Sequence, residues 1–177
     1  MSDAEPPVAI VPAEGLEDMA RVRDLFLEYQ AWLGLDLCFQ GFEEELATLP
    51  GRYLPPAGGL WFAKRGAEIV GVIGLRPLDG APGDEGSSTG RCELKRLWVR
   101  PGHRGLALGR RLTETAITAA RAAGYVSLWL DTLPLMTDAR RLYDELGFRE
   151  TEPYYHNPVE GVVYMALDLS RDIARTG

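Results

Sequence analysis

Residues 92–112 have the sequence CELKRLWVRPGHRGLALGRRL, and this stretch decides the expected fold. Apolar, β-branched and aromatic residues up to Val99 predict a strand, and Pro101-Gly102 breaks it. From Ala107 onward apolar residues recur at helical spacing. The sequence therefore predicts a strand, a tight turn at 104–109, and a helix that ends at Gly124.

The turn at 104–109 has the composition of an anion-binding site. A turn of small residues that opens a helix leaves the first backbone N–H groups without acceptors, and the positive end of the helix dipole points the same way. Gly105 and Gly109 leave room for a phosphate, and Arg104, Arg110 and Arg111 add positive charge beside it. These features predict a ligand that carries a phosphate or pyrophosphate.

Three segments carry a resemblance to a known family. Residues 104–109 resemble the Arg/Gln-x-x-Gly-x-Gly/Ala signature of the GCN5-related N-acetyltransferases, with Ala107 where the middle Gly usually lies. Residues 139–148, ARRLYDELGF, resemble the family's Ala-x-x-Leu-Tyr-x-x-x-Gly-Phe segment, and residues 94–101 resemble its central strand. The resemblance extends from Val8 to Leu169. It implies an α+β, three-layer acyl-CoA N-acyltransferase (GNAT) fold with a mixed, mostly antiparallel sheet of six to seven strands and about four helices.

The element pattern agrees with that fold class. Strands are predicted at 8–11, 60–63, 69–75, 92–99, 126–130 and 161–167, and helices at 15–34, from Phe39 to before Pro50, at 107–124 and at 139–146. The domain organisation predicted from these elements is a disordered lead-in at 1–7, a single N-acetyltransferase domain at 8–169 and a tail at 170–177. Residues 78–90, rich in Gly, Ser, Asp and Pro, are predicted to form a mobile surface loop.

Composition restricts the class of protein. The 177 residues, of which 46% are hydrophobic, fit one domain with a substantial core, and no apolar run is long enough to span a bilayer. The acidic first seven residues lack the features of a signal peptide, and two cysteines do not make a disulfide framework, so we expect a cytoplasmic protein. A net charge of −7 argues against nucleic-acid binding and weakly favours cationic substrates. The two histidines and the cysteine spacing predict no metal site.

The resemblance implies acetyl-CoA as the acyl donor and assigns residues to its binding. The pantetheine arm would pair with the backbone of Leu97, Trp98 and Val99, in a gap between two parallel strands. The diphosphate would lie on the amides of the turn, which are those of Arg104, Gly105, Leu106, Ala107, Leu108, Gly109 and Arg110. The alternative is that the glycine-containing segment is only a tight turn. A Rossmann nucleotide site is excluded by position, because its fingerprint belongs to the first strand-helix unit.

Two residues are candidates for catalysis. An alkyl ammonium must lose a proton before it can attack a thioester, and the departing thiolate must gain one. By resemblance, Glu93 would be the base, directly or through a water, and Tyr143 would be the acid. A backbone N–H near Leu97 or Trp98 would bind the oxyanion. The alternatives are a strand carboxylate paired with Lys95 or Arg96, and a tyrosine that packs in the core.

The acceptor is predicted only as a class. The resemblance places the acceptor near Tyr29, Gln40, Glu44, Arg76 and the run Tyr154 to Asn157. The preferred hypothesis is transfer to a primary amine of a small molecule, and relatives that dimerise suggest a homodimer. Transfer to a protein lysine or N-terminus, a longer acyl group, and a non-catalytic acyl-CoA-binding module stay open.

Overall fold

The computed structural model describes residues 6–78 and 90–171. The first five residues of the predicted lead-in, nearly all of the predicted 78–90 loop and the last six residues of the tail lie outside the described residues. Within the described ranges, no helix is long and apolar enough to cross a membrane.

Seven strands form one sheet in the order β1-β2-β3-β4-β5-β7-β6. All neighbouring strands are antiparallel except β4 and β5, which are parallel. The strands are β1 Val8–Pro12, β2 Gly59–Arg65, β3 Glu68–Pro77, β4 Arg91–Val99, β5 Ser127–Thr132, β6 Arg149–Thr151 and β7 Val163–Asp168. The α-helices are α1 Gly15–Leu33, α2 Phe42–Thr48, α3 Leu108–Ala122 and α4 Thr137–Glu145. The predicted α+β class with a mixed sheet of six to seven strands and four helices is confirmed for the described residues.

Helices cover both faces of the sheet because β4 alternates apolar side chains between two cores. Cys92 and Leu94 join α3 and α4 in one buried cluster, and Trp98 joins α1 and α2 in the other. We call these two sides the α3 face and the α1 face. The sheet is thereby the middle layer of three.

Helix boundaries differ from the prediction at two left-handed residues. Gly41 has φ 68°, which separates a short 3-10 turn at Cys38–Gln40 from α2, so the second helix starts at Phe42 and not at Phe39. Ala107 has φ 55°, and α3 therefore begins at Leu108. Gly34, at φ 65°, ends α1 as the sequence predicts.

A β-bulge interrupts the central strand. Val72 of β3 lies opposite Trp98 and Gly74 opposite Lys95, so β4 has one residue more than β3 over this stretch. Arg96, at φ 59°, is the left-handed residue of the bulge. Lys95 and Arg96 both contact Gln40, so these two successive side chains lie on the α1 face.

Strands β4 and β5 separate just before the bulge. Their register ends at the pair Glu93 and Trp129, although β4 continues to Val99 and β5 to Thr132. The second half of β4 therefore has no strand partner on its β5 side among the described residues. A gap opens there in the middle of the sheet.

The close contact between Gly74 and Tyr53 makes a testable prediction about packing. A Cβ at position 74 would lie 2.5 Å from Cε1 of the buried Tyr53 ring, whereas a Cβ at Gly102 would meet no atom within 4 Å. We expect Gly74→Ala to lower the free energy of unfolding by about 2 kcal/mol through overpacking. The matched variant Gly102→Ala should change it by less than about 0.5 kcal/mol. Urea unfolding followed by circular dichroism measures both, and equal effects would contradict the packing.

Candidate active site

A groove of about 830 Å³ lies along the gap between β4 and β5. It is lined by the end of β4, the turn before α3, helix α4, and Tyr29 and Trp32 of α1. Of the ten residues predicted to bind the cofactor, nine line this groove: Leu97, Trp98, Val99, Arg104, Gly105, Ala107, Leu108, Gly109 and Arg110. The tenth, Leu106, does not line it and is 38% exposed.

The turn presents backbone donors to the groove. The first hydrogen bond of α3 runs from the Arg111 N–H to the Ala107 carbonyl, so the amides of Leu108, Gly109 and Arg110 have no acceptor within the helix. A Cβ at Gly109 would meet only Leu142 Cδ2, at 3.7 Å, so packing within the chain does not require glycine there. The bare backbone and the helix dipole together fit a pyrophosphate.

Gly105 and Ala107 shape the turn through their backbone. Gly105 has φ 89°, a conformation that glycine adopts without strain. A Cβ there would meet no atom within 4 Å, so the backbone conformation favours glycine and the surrounding space does not. Ala107 is left-handed too, and for an alanine this costs about 1–2 kcal/mol. A glycine at position 107, where the family signature usually has its middle glycine, would avoid this cost.

Arginine side chains border the groove, and they contact other residues of the chain. The Arg104 guanidinium lies 4.7 Å from the Trp32 ring centroid and 5.2 Å from that of Trp98, and its Nε donates to the Val99 carbonyl at 3.1 Å. Arg110 pairs with Glu145 of α4. These contacts hold two positive charges beside the backbone donors.

A smaller cavity of about 70 Å³ lies next to the groove, and the two share Tyr29, Leu97, Met136 and Ala139 as lining residues. Leucines of the α1–α2 connection and of β4 and β5 form much of its wall. Its polar lining residues are Tyr29, Gln40, Lys95, Arg96, Asp131, Thr132, Tyr143 and Asn157. We call this space the acceptor cavity.

Tyr143 lies where the sequence predicts the acid. It is 7% exposed, lines the acceptor cavity, and its ring packs against Phe148. Within the described part of the chain its hydroxyl has no hydrogen-bond partner. Burial, together with the nearby Tyr29 and Asp131, raises the pKa of Tyr143 above its usual value, so the phenol stays protonated at neutral pH.

Glu93 is enclosed by partners from its own chain and does not line the acceptor cavity. Its Oε1 accepts from the Tyr154 hydroxyl at 2.7 Å and lies 3.2 Å from Lys95 Nζ, and its Oε2 accepts from Arg76 Nε at 3.1 Å. Burial alone would raise the pKa of Glu93, but the charges of Lys95 and Arg76 and the Tyr154 hydrogen bond outweigh it and lower the pKa to about 2. The pairing with Lys95 is the alternative that the sequence left open.

The predicted acceptor residues divide into two groups. Tyr29 and Gln40 line the acceptor cavity, whereas Arg76 and Tyr154 do not and are bound to Glu93. Glu44 is a wrong prediction, because its side chain is exposed on the outer side of α2.

Several polar residues of the site escaped the sequence analysis. Glu45, and not Glu44, points inward, with Oε2 at 2.7 Å from Arg96 Nη2. Asp131 and Lys95 line the acceptor cavity, 3.5 Å apart. A signal for Asp131 was available, because it directly follows the predicted strand 126–130, at the carboxyl end where ligands bind in sheets with parallel neighbours. Among the described residues there is no group of three or more metal-ligating side chains placed to hold a metal ion.

Relatives of the chain carry acetyltransferase names. An uncharacterized N-acetyltransferase from Schizosaccharomyces pombe is 40% identical over 156 residues, which cover 88% of this chain and 91% of that protein. N-acetyltransferase 8 from Rattus norvegicus is 30% identical over 167 residues, 91% of this chain and 73% of the relative.

Solved structures agree in fold. An acetyltransferase from Streptococcus agalactiae has a TM-score of 0.71 at 23% identity, with 91% of this chain and 98% of that chain covered. The Salmonella typhimurium protein yncA, solved with its cofactor acetyl-CoA, has a TM-score of 0.69 at 20% identity, with 94% and 96% covered. The model of the acetyltransferase (GNAT) family matches residues 20–148. The chain therefore belongs to the acetyltransferase (GNAT) family and is an acyltransferase.

Proposed function

We propose that this protein transfers the acetyl group of acetyl-CoA to the primary amine of a small molecule. The observation that carries the proposal is the junction of the two spaces. The groove, with its unpaired β4 edge and its α3 amides, meets the acceptor cavity beside Tyr29 and Leu97. The Tyr143 hydroxyl lies at that cavity and hydrogen-bonds to none of the described residues. This arrangement supports a long phosphorylated donor on one side and a small acceptor on the other.

Each part of the donor has a counterpart in the groove. The amides of Leu108, Gly109 and Arg110 would bind the pyrophosphate, because they are donors without acceptors within the helix. The free edge of β4 from Leu97 to Val99 would pair with the pantetheine arm. The bound donor supplies the activated thioester carbonyl.

Tyr143 is the proposed acid. Its hydroxyl lies at the cavity and is protonated at neutral pH, so it can hydrogen-bond the departing thiolate and give it a proton. A backbone N–H of β4 near Leu97 or Trp98 would stabilise the oxyanion that forms on the attacked carbonyl. Neither role requires a metal.

For Glu93 we propose a supporting role in place of the expected one. A carboxylate with a pKa of about 2 retains a proton poorly at neutral pH, and Glu93 already accepts hydrogen bonds from Arg76 and Tyr154 and forms an ion pair with Lys95. In this proposal Glu93 orients Lys95 and Tyr154 and does not itself deprotonate the amine.

The size of the acceptor cavity favours a small molecule over the alternatives. A volume of about 70 Å³ leaves room for an amino group with a short substituent. A non-catalytic acyl-CoA-binding module would have no use for the unpartnered Tyr143 hydroxyl. The cytoplasmic location and the homodimer stay predictions, and gel filtration with light scattering tests the second.

The turn before α3 yields a prediction about donor binding. Gly109→Val would place a branched side chain over the amides that face the groove, so we expect the affinity for acetyl-CoA to fall about tenfold or more, as charged hydrogen bonds are lost. Calorimetric titration with acetyl-CoA measures the effect, with Gly102→Ala as the control because it adds a methyl group in open space. If the folded Gly109→Val protein binds acetyl-CoA with unchanged affinity, the backbone amides at the start of α3 do not bind its pyrophosphate.

Tyr143 yields a second prediction. Tyr143→Phe removes only a hydroxyl that bonds to no residue in the described part of the chain, so we expect the fold and the acetyl-CoA affinity to be retained while kcat falls about 100-fold or more. Release of free thiol in the presence of a panel of amines measures the rate. Tyr125→Phe, far from the cavity with its hydroxyl on the Ala57 carbonyl, is the control. Equal kcat for Tyr143→Phe and the unmodified protein would remove Tyr143 as the acid. Binding of acetyl-CoA without thiol release for any amine would overturn the transferase proposal.

A further inference from the structure

Asp131 is the carboxylate that the acceptor cavity exposes. Its Oδ2 accepts from the Tyr155 hydroxyl at 2.7 Å and from Asn157 Nδ2 at 3.2 Å, which fixes the side chain. Its Oδ1 has only the long 3.5 Å contact with Lys95 Nζ. One oxygen of Asp131 therefore retains acceptor capacity at the wall of the cavity, in contrast to the enclosed Glu93.

Unpartnered hydroxyls share this cavity with Asp131. The buried Thr132 Oγ1 has no hydrogen-bond partner, and the hydroxyls of Tyr29 and Tyr143 have none among residues 6–78 and 90–171. Buried polar groups are normally paired, so the unpaired, buried Thr132 hydroxyl in a cavity that also exposes a carboxylate indicates a polar ligand. A ligand with several N–H donors and a positive charge fits this set.

The cations at this face are already engaged by the chain. Lys95 Nζ lies within 3.5 Å of Glu93, Asp131 and the Gln40 amide oxygen. All three guanidinium nitrogens of Arg96 donate to Glu45 or Gln40. Arg76 is bound to Glu93 and does not line the cavity. No cation of this cluster remains to neutralise a carboxylate or phosphate on an acceptor.

The rest of the cavity wall is apolar and the space is short. Ten apolar side chains, seven of them leucines, form this part of the wall. A volume of 70 Å³ holds about five water-sized groups, since each occupies roughly 10–15 Å³ on this measure. The space thus fits an amino group with a chain of a few carbon atoms.

We infer that the acceptor is an amine with a single positive charge and a short apolar substituent, whose ammonium group binds Asp131, and that amines with a carboxylate beside the amino group are rejected. The inference rests on the proposed function and names the substrate class of the same site. An acceptor with a carboxylate beside its amino group would be rejected, because the carboxylate would be buried in the cavity without a free cation to pair with it, which is costly.

Asp131 is also placed to take the first proton. The ammonium gives one proton to Asp131, which passes it to solvent, and the neutral amine forms the new C–N bond with the thioester carbonyl. The C–S bond then breaks, the sulfur takes the proton of the Tyr143 hydroxyl, and the second proton of the nitrogen restores the phenol. The products are the amide, the free thiol of coenzyme A and one proton released to solvent.

Three probes of matched shape test the substrate class with the unmodified protein. They are n-propylamine, 2-aminobutyrate, which is propylamine with a carboxylate at C1, and 2-aminobutyramide, which has an uncharged group there. We expect kcat/KM for n-propylamine to exceed that for 2-aminobutyrate about 10- to 100-fold, with the amide closer to the amine. Equal or better use of 2-aminobutyrate would overturn the inference while leaving the transferase function intact.

Asp131→Asn tests the carboxylate itself. We expect kcat/KM for n-propylamine to fall about 10- to 100-fold with unchanged acetyl-CoA affinity. Asp24→Asn, an exposed change on α1, is the control. Glu93→Gln is the comparison, and its folded variant should retain the preference for n-propylamine over 2-aminobutyrate. Loss of transfer in Glu93→Gln with full transfer in Asp131→Asn would overturn the assignment and restore Glu93 as the base.

Calorimetry separates failure of this inference from failure of the proposed function. If the unmodified protein acetylates none of the three probes, titration of n-propylamine into the protein saturated with coenzyme A still measures the binding site. Binding that Asp131→Asn weakens about tenfold or more would support the acceptor class, although the transferase proposal would have failed. If n-propylamine does not bind, or binds Asp131→Asn as tightly as the unmodified protein, the inference about the acceptor class is overturned.

Discussion

The left-handed conformation of Arg96 is the constraint on which the site depends. A non-glycine residue at φ 59° costs about 1–2 kcal/mol, and the ion pair with Glu45 at 2.7 Å and the Gln40 hydrogen bond at 2.7 Å hold Arg96 there. Because the bulge adds a residue to β4, Lys95 and Arg96 both reach the α1 face. The pairing of β4 with β5 ends just before the bulge, at Glu93. The groove and the acceptor cavity occupy the space that this separation leaves.

Balanced charges explain how this face tolerates so many buried ionic groups. Three cations, Arg76, Lys95 and Arg96, pair with three carboxylates, those of Glu45, Glu93 and Asp131. Burial alone would raise the pKa of Glu45, but the Arg96 charge outweighs it and the pKa is lowered. Removing one partner from such a cluster leaves an uncompensated buried charge, which is far more costly than the pair is favourable.

Features that depend on neighbouring residues could be predicted from the sequence, and features that depend on contacts between distant residues could not. The turn at 104–109 and the end of α1 at Gly34 depend on neighbouring residues, so the sequence alone indicates them. The sequence named Glu44 for the acceptor side, but Glu44 is exposed and Glu45 turns inward to Arg96, a pairing across 51 positions that leaves no local signal. The enclosure of Glu93 depends on the β3 register and on a side chain 61 residues away, and neither leaves a local signal.

Amide hydrogen exchange with and without acetyl-CoA tests most directly that the separated half of β4 and the α3 turn form the donor site. The account predicts that acetyl-CoA slows exchange in peptides covering residues 95–99 and 105–110, because both present backbone groups to the groove. Peptides covering 91–93, where β4 already pairs with β5, should be unaffected. Protection elsewhere in the chain, with no change at 95–99 and 105–110, would contradict the account.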